Sequence, residues 1–294
     1  MLHIPVMSKE ILQIFSLRDG DIVVDCTIGT GGHSEQFLRV ISPQGRLIGI
    51  DRDIESLNVA KERLKNFQNN LELVHEDFRN LDLVLKRLNI KDVDAFLFDL
   101  GVSSFQLDNP ERGFSLKSQG PLDMRFDKES YILAYDLVNY LSEQEISSII
   151  QAFGQERFHN RIARFLVKER NIRPISTTQD LSDIVLKAIP YRYHSHKIHP
   201  ATQTFQAFRI AVNRELESLE IALEKSMQFL RKVGHICVVS FHSLEERIVK
   251  EKFIKFSKDG LIKILTKRPL RPTIREIRQN LRCRSARLRA AERI

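Results

Sequence analysis

Cysteine is scarce in this chain, and what there is does not suggest pairing. Only three occur among 294 residues, Cys26, Cys237 and Cys283. An odd number at scattered positions excludes a disulfide framework and suits buried thiols in a reducing cytosol. Long apolar runs are missing as well. None approaches the ~20 residues that a membrane-spanning helix needs, so no membrane partner is expected. The opening Met1-Leu2-His3-Ile4-Pro5 has neither a charged start nor a greasy segment, and no signal peptide is read there. Internal repeats are absent, and low complexity is confined to an Arg-rich C-terminal stretch. What remains is a globular composition, 42% hydrophobic, long enough for one big domain or one domain with an insertion.

An excess of acid is also lacking, and the net charge of +8 is unevenly placed. Residues 267–294 hold ten Lys or Arg against two Glu, while the residues before them balance at 36 of each sign. Nine of the ten cations are Arg. A neutral body with a basic tail points to a polyanion, and guanidinium forks suit phosphate. A solvated Arg-rich surface helix would give the same count, so charge leaves both readings open.

Over the first hundred residues, apolar runs alternate with amphipathic ones. Asp21–Cys26, Arg46–Ile50, Leu71–His75 and Val93–Leu100 read as strands covered on both faces. A helical pattern such as Ile54, Leu57, Ala60, Leu64 lies between two of them. The series is βαβαβαβ, which predicts a doubly wound, mostly parallel sheet with right-handed crossovers. The rhythm then changes. Residues 105–199 show short helical patterns (Ile146, Ile149/Ile150, Phe153; Ile162, Phe165/Leu166) among Gly and Pro, and read as an inserted all-helical subdomain. The α/β pattern resumes at 200. The spacing of Phe205, Phe208, Val212, Leu216, Leu219, Leu223, Met227 and Leu230 predicts one long amphipathic helix closed by Gly234. Strand His235–Phe241, helix Ser243–Phe256 and strand Leu261–Thr266 follow. The expected organisation is a discontinuous domain of 1–104 and 200–294, with a basic tail over 267–294, interrupted by 105–199.

Two stretches carry the chemistry. Val24-Asp25-Cys26-Thr27-Ile28-Gly29-Thr30-Gly31-Gly32-His33 runs from a strand through a glycine turn into a helix. Leu47-Ile48-Gly49-Ile50-Asp51 ends a strand on a carboxylate. This is how such a sheet holds a nucleoside-containing cofactor, with glycines allowing close approach and Asp51 taking the ribose hydroxyls. A dinucleotide fingerprint would place a third glycine where Ser34 stands, and Asp25 beside the turn would repel a pyrophosphate. A cation such as S-adenosylmethionine fits better, with its sulfonium and ammonium groups. After Leu71–His75, the polar groups of Glu76 and Asp77 face an adenine edge in this reading and Phe78 its ring, though Phe78 reads equally as a core aromatic.

The fourth strand delivers Asp99-Leu100-Gly101-Val102-Ser103-Ser104 at its carboxyl end, where ligands of open parallel sheets bind. Methyl transfer from a sulfonium is an in-line displacement that needs positioning, worth roughly 7–11 kcal/mol, and needs neither metal nor covalent nucleophile. Asp99 or Ser103 would accept the hydrogens of a delocalised base amine as its nitrogen turns tetrahedral. Such a base must be single-stranded or flipped. A turn-capping Asp is the plainer alternative. His194, His196 and His199 share a loop, but no Cys or acid completes a zinc site. Ser240-Phe241-His242-Ser243 ends another strand, and a helix cap by Ser243 accounts for it.

Long matching words then run the length of the chain: His3-Ile4-Pro5-Val6-Met7, the Asp25–His33 turn, Ile50-Asp51-Arg52-Asp53, Asp99–Ser104, Glu111-Arg112-Gly113-Phe114-Ser115, Gly120-Pro121-Leu122-Asp123-Met124-Arg125, His199-Pro200-Ala201-Thr202, Ser240–Glu245 and Arg284-Ser285-Ala286. On these the chain resembles the bacterial 16S ribosomal RNA cytosine-N4 methyltransferases. The resemblance implies a class I (Rossmann-like) methyltransferase fold, S-adenosylmethionine as donor, and a cytosine of the decoding region as acceptor, on an assembled or nearly assembled small subunit. It implies cofactor contacts at Gly31, Gly32, His33, Asp51, Phe78, Asp99 and Gln106, and a homodimer is among its expectations. Phe105 stands where the family commonly has proline, Gln203 where it has arginine, and Glu246 where it has aspartate. The Pro-Pro-aromatic motif of DNA amino-methyltransferases is absent after Asp99. Read from its residues alone, the chain also admits a nicotinamide dehydrogenase, a non-catalytic assembly factor and a small-molecule methyltransferase. Ser34, Asp25 and the basic tail weigh against the first, and the tail against the last.

Overall fold

Four strands follow one another where the apolar runs predict them: β1 Ile22–Asp25, β2 Arg46–Asp51, β3 Leu71–His75 and β4 Val93–Asp99. The computed structural model describes residues 5–194 and 198–294. His3 and Ile4 of the first matching word, and His196 of the loop histidines, lie outside them. Three further strands complete one sheet: β5 Leu230–Ser240, β6 Ile262–Ile264 and β7 Arg287–Arg293. The order is β3-β2-β1-β4-β5-β7-β6. β1 to β5 are parallel, and β7 runs antiparallel to both β5 and β6.

The central strands are covered on both faces, which is why β1, β2 and β4 are apolar without alternation, whereas in β3 and β6, at the sheet edges, one residue each is buried. Alternate residues of β4 serve opposite cores: Phe96 and Phe98 pack with Val24, Ile236 and Val238, while Ala95 and Leu97 pack with Val23, Cys237 and Val239. All three cysteines are buried and unpaired. Burial raises the thiol pKa of each, which keeps them protonated and unreactive.

The C-terminal segment departs from the expected tail. Residues 287–293 are an interior strand, with Leu288, Ala290 and Ala291 fully buried. Arg289 is only 7% exposed. Its Nε donates to Glu246 Oε1 at 3.0 Å, and its Nη2 bonds the same oxygen. Arg293 donates to the Leu261 carbonyl at 3.1 Å. Charge counting could not see this, because cations on a covered face contribute the same sum as cations in water. Lys267, Arg268, Arg271, Arg275, Arg278, Arg282 and Arg284 are exposed.

The expected single helix over 205–230 is two helices, Thr202–Asn213 and Glu215–Ser226, with Arg214 between them in the left-handed region at φ 50°. Asn213 explains the break: it donates from Nδ2 to the Met124 carbonyl at 2.7 Å and accepts the Phe126 amide at 2.8 Å. The apolar spacing continues across the break, so periodicity gave no sign of it. Gly234 does not close a helix; it lies within β5.

The chain divides into two units, Met1–Gly101 with Leu216–Ile294, and Val102–Glu215. The first holds the sheet. The second is helical, and its core includes Ile146, Ile150, Leu166, Leu181, Phe205 and Phe208. The helix Thr202–Asn213 therefore belongs with the helical unit, and the boundary expected at 199/200 falls at Glu215. Within that unit the buried Arg112, 1% exposed, donates from Nη2 to the carbonyls of Arg125 and Phe126 at 3.0 and 2.8 Å. Among the described residues no helix is long and apolar enough to cross a membrane.

Candidate active site

Three neighbouring strands end on aspartate. Asp25 closes β1, Asp51 closes β2 and Asp99 closes β4. β1 pairs with β2 on one side and with β4 on the other, so the chain reverses its direction of winding between Asp25 and Asp99. Ligands of doubly wound sheets bind at that switch point, beyond the carboxyl ends of the strands.

The glycine turn fits this position. Gly29 and Gly31 hold φ of 51° and 80°, values an L side chain adopts only under strain. Gly31 caps the helix Gly32–Ile41. A Cβ on Gly31 would also stand 3.0 Å from Leu64 Cδ1. The turn is held from β2: Gly29 donates its amide to Asp51 Oδ2 at 2.8 Å, and Asp53 donates to Asp51 Oδ1 at 2.9 Å. Thr27 ties in β4, its hydroxyl accepting the Asp99 amide at 2.7 Å.

Asp25 is 1% exposed. Its oxygens accept the Ser34 hydroxyl at 2.8 Å and the Thr27 amide at 3.2 Å. Ser34, at the place of a fingerprint glycine, thus holds the carboxylate beside the turn. Burial pushes its pKa up to about 6, partly offset by the His33 imidazole and raised further by Asp99. Asp51 is likewise pushed up to about 6 by burial, against the two amides it accepts. Among the described residues, no Lys or Arg forms an ion pair with Asp25, Asp51 or Asp99.

His33 is buried, with its ring stacked on Phe37 at 6.1 Å between centroids. Its Nε2 lies 3.5 Å from Asp99 Oδ2, too far for a good hydrogen bond. Both His33 nitrogens and Asp99 Oδ1 are buried without a hydrogen-bond partner. Buried polar atoms are normally satisfied, so these three point to a polar ligand.

The remaining candidates divide. Phe78 packs edge-on against Phe98 at 5.8 Å, within the sheet core. Asp77 does not keep a carboxylate for an adenine edge: it accepts from Arg52 Nη1 at 3.1 Å, the Arg79 amide at 2.9 Å and the Ser218 hydroxyl at 3.2 Å. Glu76 Oε1 accepts the Asp77 amide and Asn80 Nδ2. Ser103 and Gln106 belong to the helical unit, where they cap the helix Ser104–Asp108 reciprocally. The Ser103 hydroxyl accepts the Gln106 amide at 3.2 Å, and Gln106 Oε1 accepts the Ser103 amide at 3.0 Å. This capping-box pattern was legible in the sequence, and it gives Ser103 a structural task.

One other expectation changes. The helix Ser243–Lys258 is capped by His242, not by Ser243: His242 Nδ1 accepts the Glu245 amide at 3.4 Å, and Glu245 Oε2 accepts the Phe241 amide at 2.8 Å. In the loop, His194 Nε2 bonds the Ile189 carbonyl and His199 Nδ1 accepts the Ala201 amide, so those nitrogens are taken by backbone rather than turned toward a shared ion.

The model of the MraW methylase family matches residues 1–294. Three curated relatives all carry the name ribosomal RNA small subunit methyltransferase H. That of Sulfurihydrogenibium is 47% identical and that of Caldicellulosiruptor saccharolyticus 46%, each over 99% of both chains. That of Halothermothrix orenii is 44% identical over 99% of this chain and 98% of its own.

Proposed function

The chain belongs to the MraW methylase family, and on that premise we propose that it transfers the methyl group of S-adenosylmethionine to the exocyclic N4 amine of a cytosine in the decoding region of small-subunit ribosomal RNA. It is an S-adenosylmethionine-dependent methyltransferase of class I fold. One observation carries the reading at the level of residues: three adjacent parallel strands end on Asp25, Asp51 and Asp99, with the His33 imidazole beside Asp99 and, among the described residues, no Lys or Arg ion-paired to the three.

That donor set fits the cofactor. Carboxylates gathered at the strand tips favour a positively charged ligand and disfavour a pyrophosphate. Gly31 and Gly32 allow close backbone approach, and Asp51 keeps lone pairs for two ribose hydroxyls while its amide bonds fix its orientation. The unpartnered atoms of His33 and Asp99 offer polar contacts at the switch point. Phe78 adds an apolar wall. Gln106, held by its cap, is proposed as a further cofactor contact. When bound, the cofactor supplies a methyl group on positively charged sulfur, open to in-line displacement.

The chain's own task is then positioning. Asp99 is held at the strand tip by the Thr27 bond to its amide, and Oδ1 is left to accept an N–H of the incoming amine. Accepting that proton's bond returns electron density to a nitrogen otherwise delocalised into its ring. We assign Ser103 to fixing Gln106 rather than to the reaction. The helical unit, 105–199 by sequence and Val102–Glu215 by structure, is proposed to recognise the RNA, and the small subunit or a late precursor is proposed as the physiological acceptor.

Labelled cofactor supplied with naked small-subunit RNA, with small subunits and with whole ribosomes, followed by nucleoside analysis, tests the reading. N4-methylated cytidine is expected. Label on a ring carbon or a ribose would overturn amino transfer, and binding without any label transfer would leave an assembly factor in its place.

A further inference from the structure

The helical unit carries a surface that methyl transfer at the sheet does not use. The helix His159–Arg170 is entered through Arg157 and Phe158, and the short turn Tyr191–Tyr193 lies beside that entry. The rings of Phe158 and Tyr193 are 5.0 Å apart between centroids. The Arg157 guanidinium sits over both, at 5.7 and 5.4 Å, and that of Arg192 lies 5.0 Å from the Tyr193 centroid. One turn along the helix, Arg161 lies 5.5 Å from the Phe165 ring. Tyr191 is 84% exposed.

Two features of this patch demand a partner. Tyr191, in tilted contact with the His194 ring, stands largely in water and Tyr193 is 42% exposed, although burial would be favourable. Its guanidinium groups are exposed, and among the described residues Arg157, Arg161 and Arg192 have no carboxylate partner; only Arg164 nearby faces an acid, Glu143 at 3.7 Å. A ligand that presents flat π-faces together with negative charge satisfies both at once. Single-stranded nucleic acid does so, because every base has a face to stack and every linkage a phosphate. Duplex RNA hides its base faces, and an acidic peptide answers the charge without the rings.

We propose that this surface docks a single-stranded segment of ribosomal RNA, with bases stacked on Tyr191 and Tyr193 and phosphates held by Arg157, Arg161 and Arg192. The inference rests on the reading that the chain acts on RNA. It adds a second anchoring point within the helical unit, separate from the Arg-rich 267–284 segment.

Fluorescence anisotropy of the full chain with a labelled unstructured RNA, titrated over a range of salt, tests it. Tyr191→Ser is expected to weaken binding about tenfold, since one base–aromatic stack is worth roughly 1–3 kcal/mol. Arg157→Gln and Arg192→Gln are each expected to lower the logarithmic salt slope by about 0.7. Thermal melting and S-adenosylhomocysteine binding should match wild type in all three, because the altered side chains are exposed. Unchanged affinity and slope in all three variants would overturn the proposal, as would tighter binding to duplex RNA. So would loss of binding to small subunits with single-stranded RNA binding intact, which would assign the surface to a protein. Methyl transfer by the wild-type chain, measured alongside, separates the two claims. Active enzyme with indifferent variants removes this surface alone, whereas an inactive wild type removes the function proposed above.

Discussion

Gly29 and Asp51 are joined across the strand tips, the amide of one donating to the carboxylate of the other at 2.8 Å. The residue proposed to receive ribose hydroxyls therefore also builds the turn proposed to hold the cofactor. Hydrogen bonds to a charged acceptor contribute about 1.5–3 kcal/mol each, and Asp51→Ala removes those from Gly29 and Asp53 together. Titration calorimetry with S-adenosylhomocysteine is expected to show affinity lowered at least about tenfold, with a lower melting temperature of the free protein. Wild-type affinity would remove Asp51 from the site.

Asp99 should separate binding from chemistry. Asp99→Asn keeps the side-chain shape but weakens its acceptor character toward an amine. Turnover on small-subunit RNA is expected to fall about a hundredfold, within the range general acid–base groups contribute, with a smaller change in cofactor affinity. If Asp99→Asn and Asp99→Ala both retain wild-type turnover and affinity, Asp99 takes no part in the mechanism.

The acids at the site set a pH dependence. Asp25 and Asp51 are both pushed up to about 6 from an ordinary 3.8 by burial. The folded chain thus holds these protons more tightly than the unfolded one. Their contribution to stability is fully present below about 3.8 and is lost as pH rises through about 6. A cationic ligand favours the ionised forms, so its affinity moves the opposite way and strengthens as pH rises toward neutrality. Below pH 6 each carboxylate is expected to weaken cofactor binding by up to about tenfold per pH unit. Melting curves with and without cofactor check this: the cofactor-induced rise in melting temperature should grow between pH 5 and pH 7. A shift independent of pH would show that these carboxylates do not sense the ligand.

The C-terminal strand is expected to behave as fold rather than as tail. Removing residues 287–294 strips β5 and β6 of their shared partner and leaves Glu246 without Arg289. The truncated chain should fail to fold or should aggregate, whereas loss of a solvated tail would leave a folded enzyme with weaker RNA affinity. Arg289→Ala alone is expected to cost about 2 kcal/mol in denaturant unfolding, because it removes the close hydrogen bonds of a largely buried carboxylate and leaves it only Arg287 at 3.9 Å. In contrast, Arg275→Gln with Arg278→Gln, both exposed, should leave stability unchanged and flatten the salt dependence of RNA binding.

Local signals read the sheet domain well. Each of the first four apolar runs became a strand within a residue or so of its expected ends, because a strand covered on both faces declares itself by composition alone. Asp51 and Asp99 could be placed at strand tips for the same reason, since a carboxylate that follows such a run has to lie where the run leaves the core. The glycine turn was legible because two of its residues need left-handed backbone. What local pattern could not show was partnership at a distance. Ser34 took the place of a fingerprint glycine, and nothing in its neighbourhood revealed that it would hold Asp25. Asp77 looked available at a strand end until Arg52, Arg79 and Ser218 were brought to it.

The sequence by itself determined the first four strands, the glycine turn and the acids at the strand ends, because burial pattern and backbone conformation are encoded within a few residues. Tertiary structure alone decided that the last strand inserts between β5 and β6, that the chain breaks at Arg214, and that His33 meets Asp99. Each depends on residues far apart in the chain whose pairing is chosen by the assembled sheet and helices, and no local periodicity records that choice.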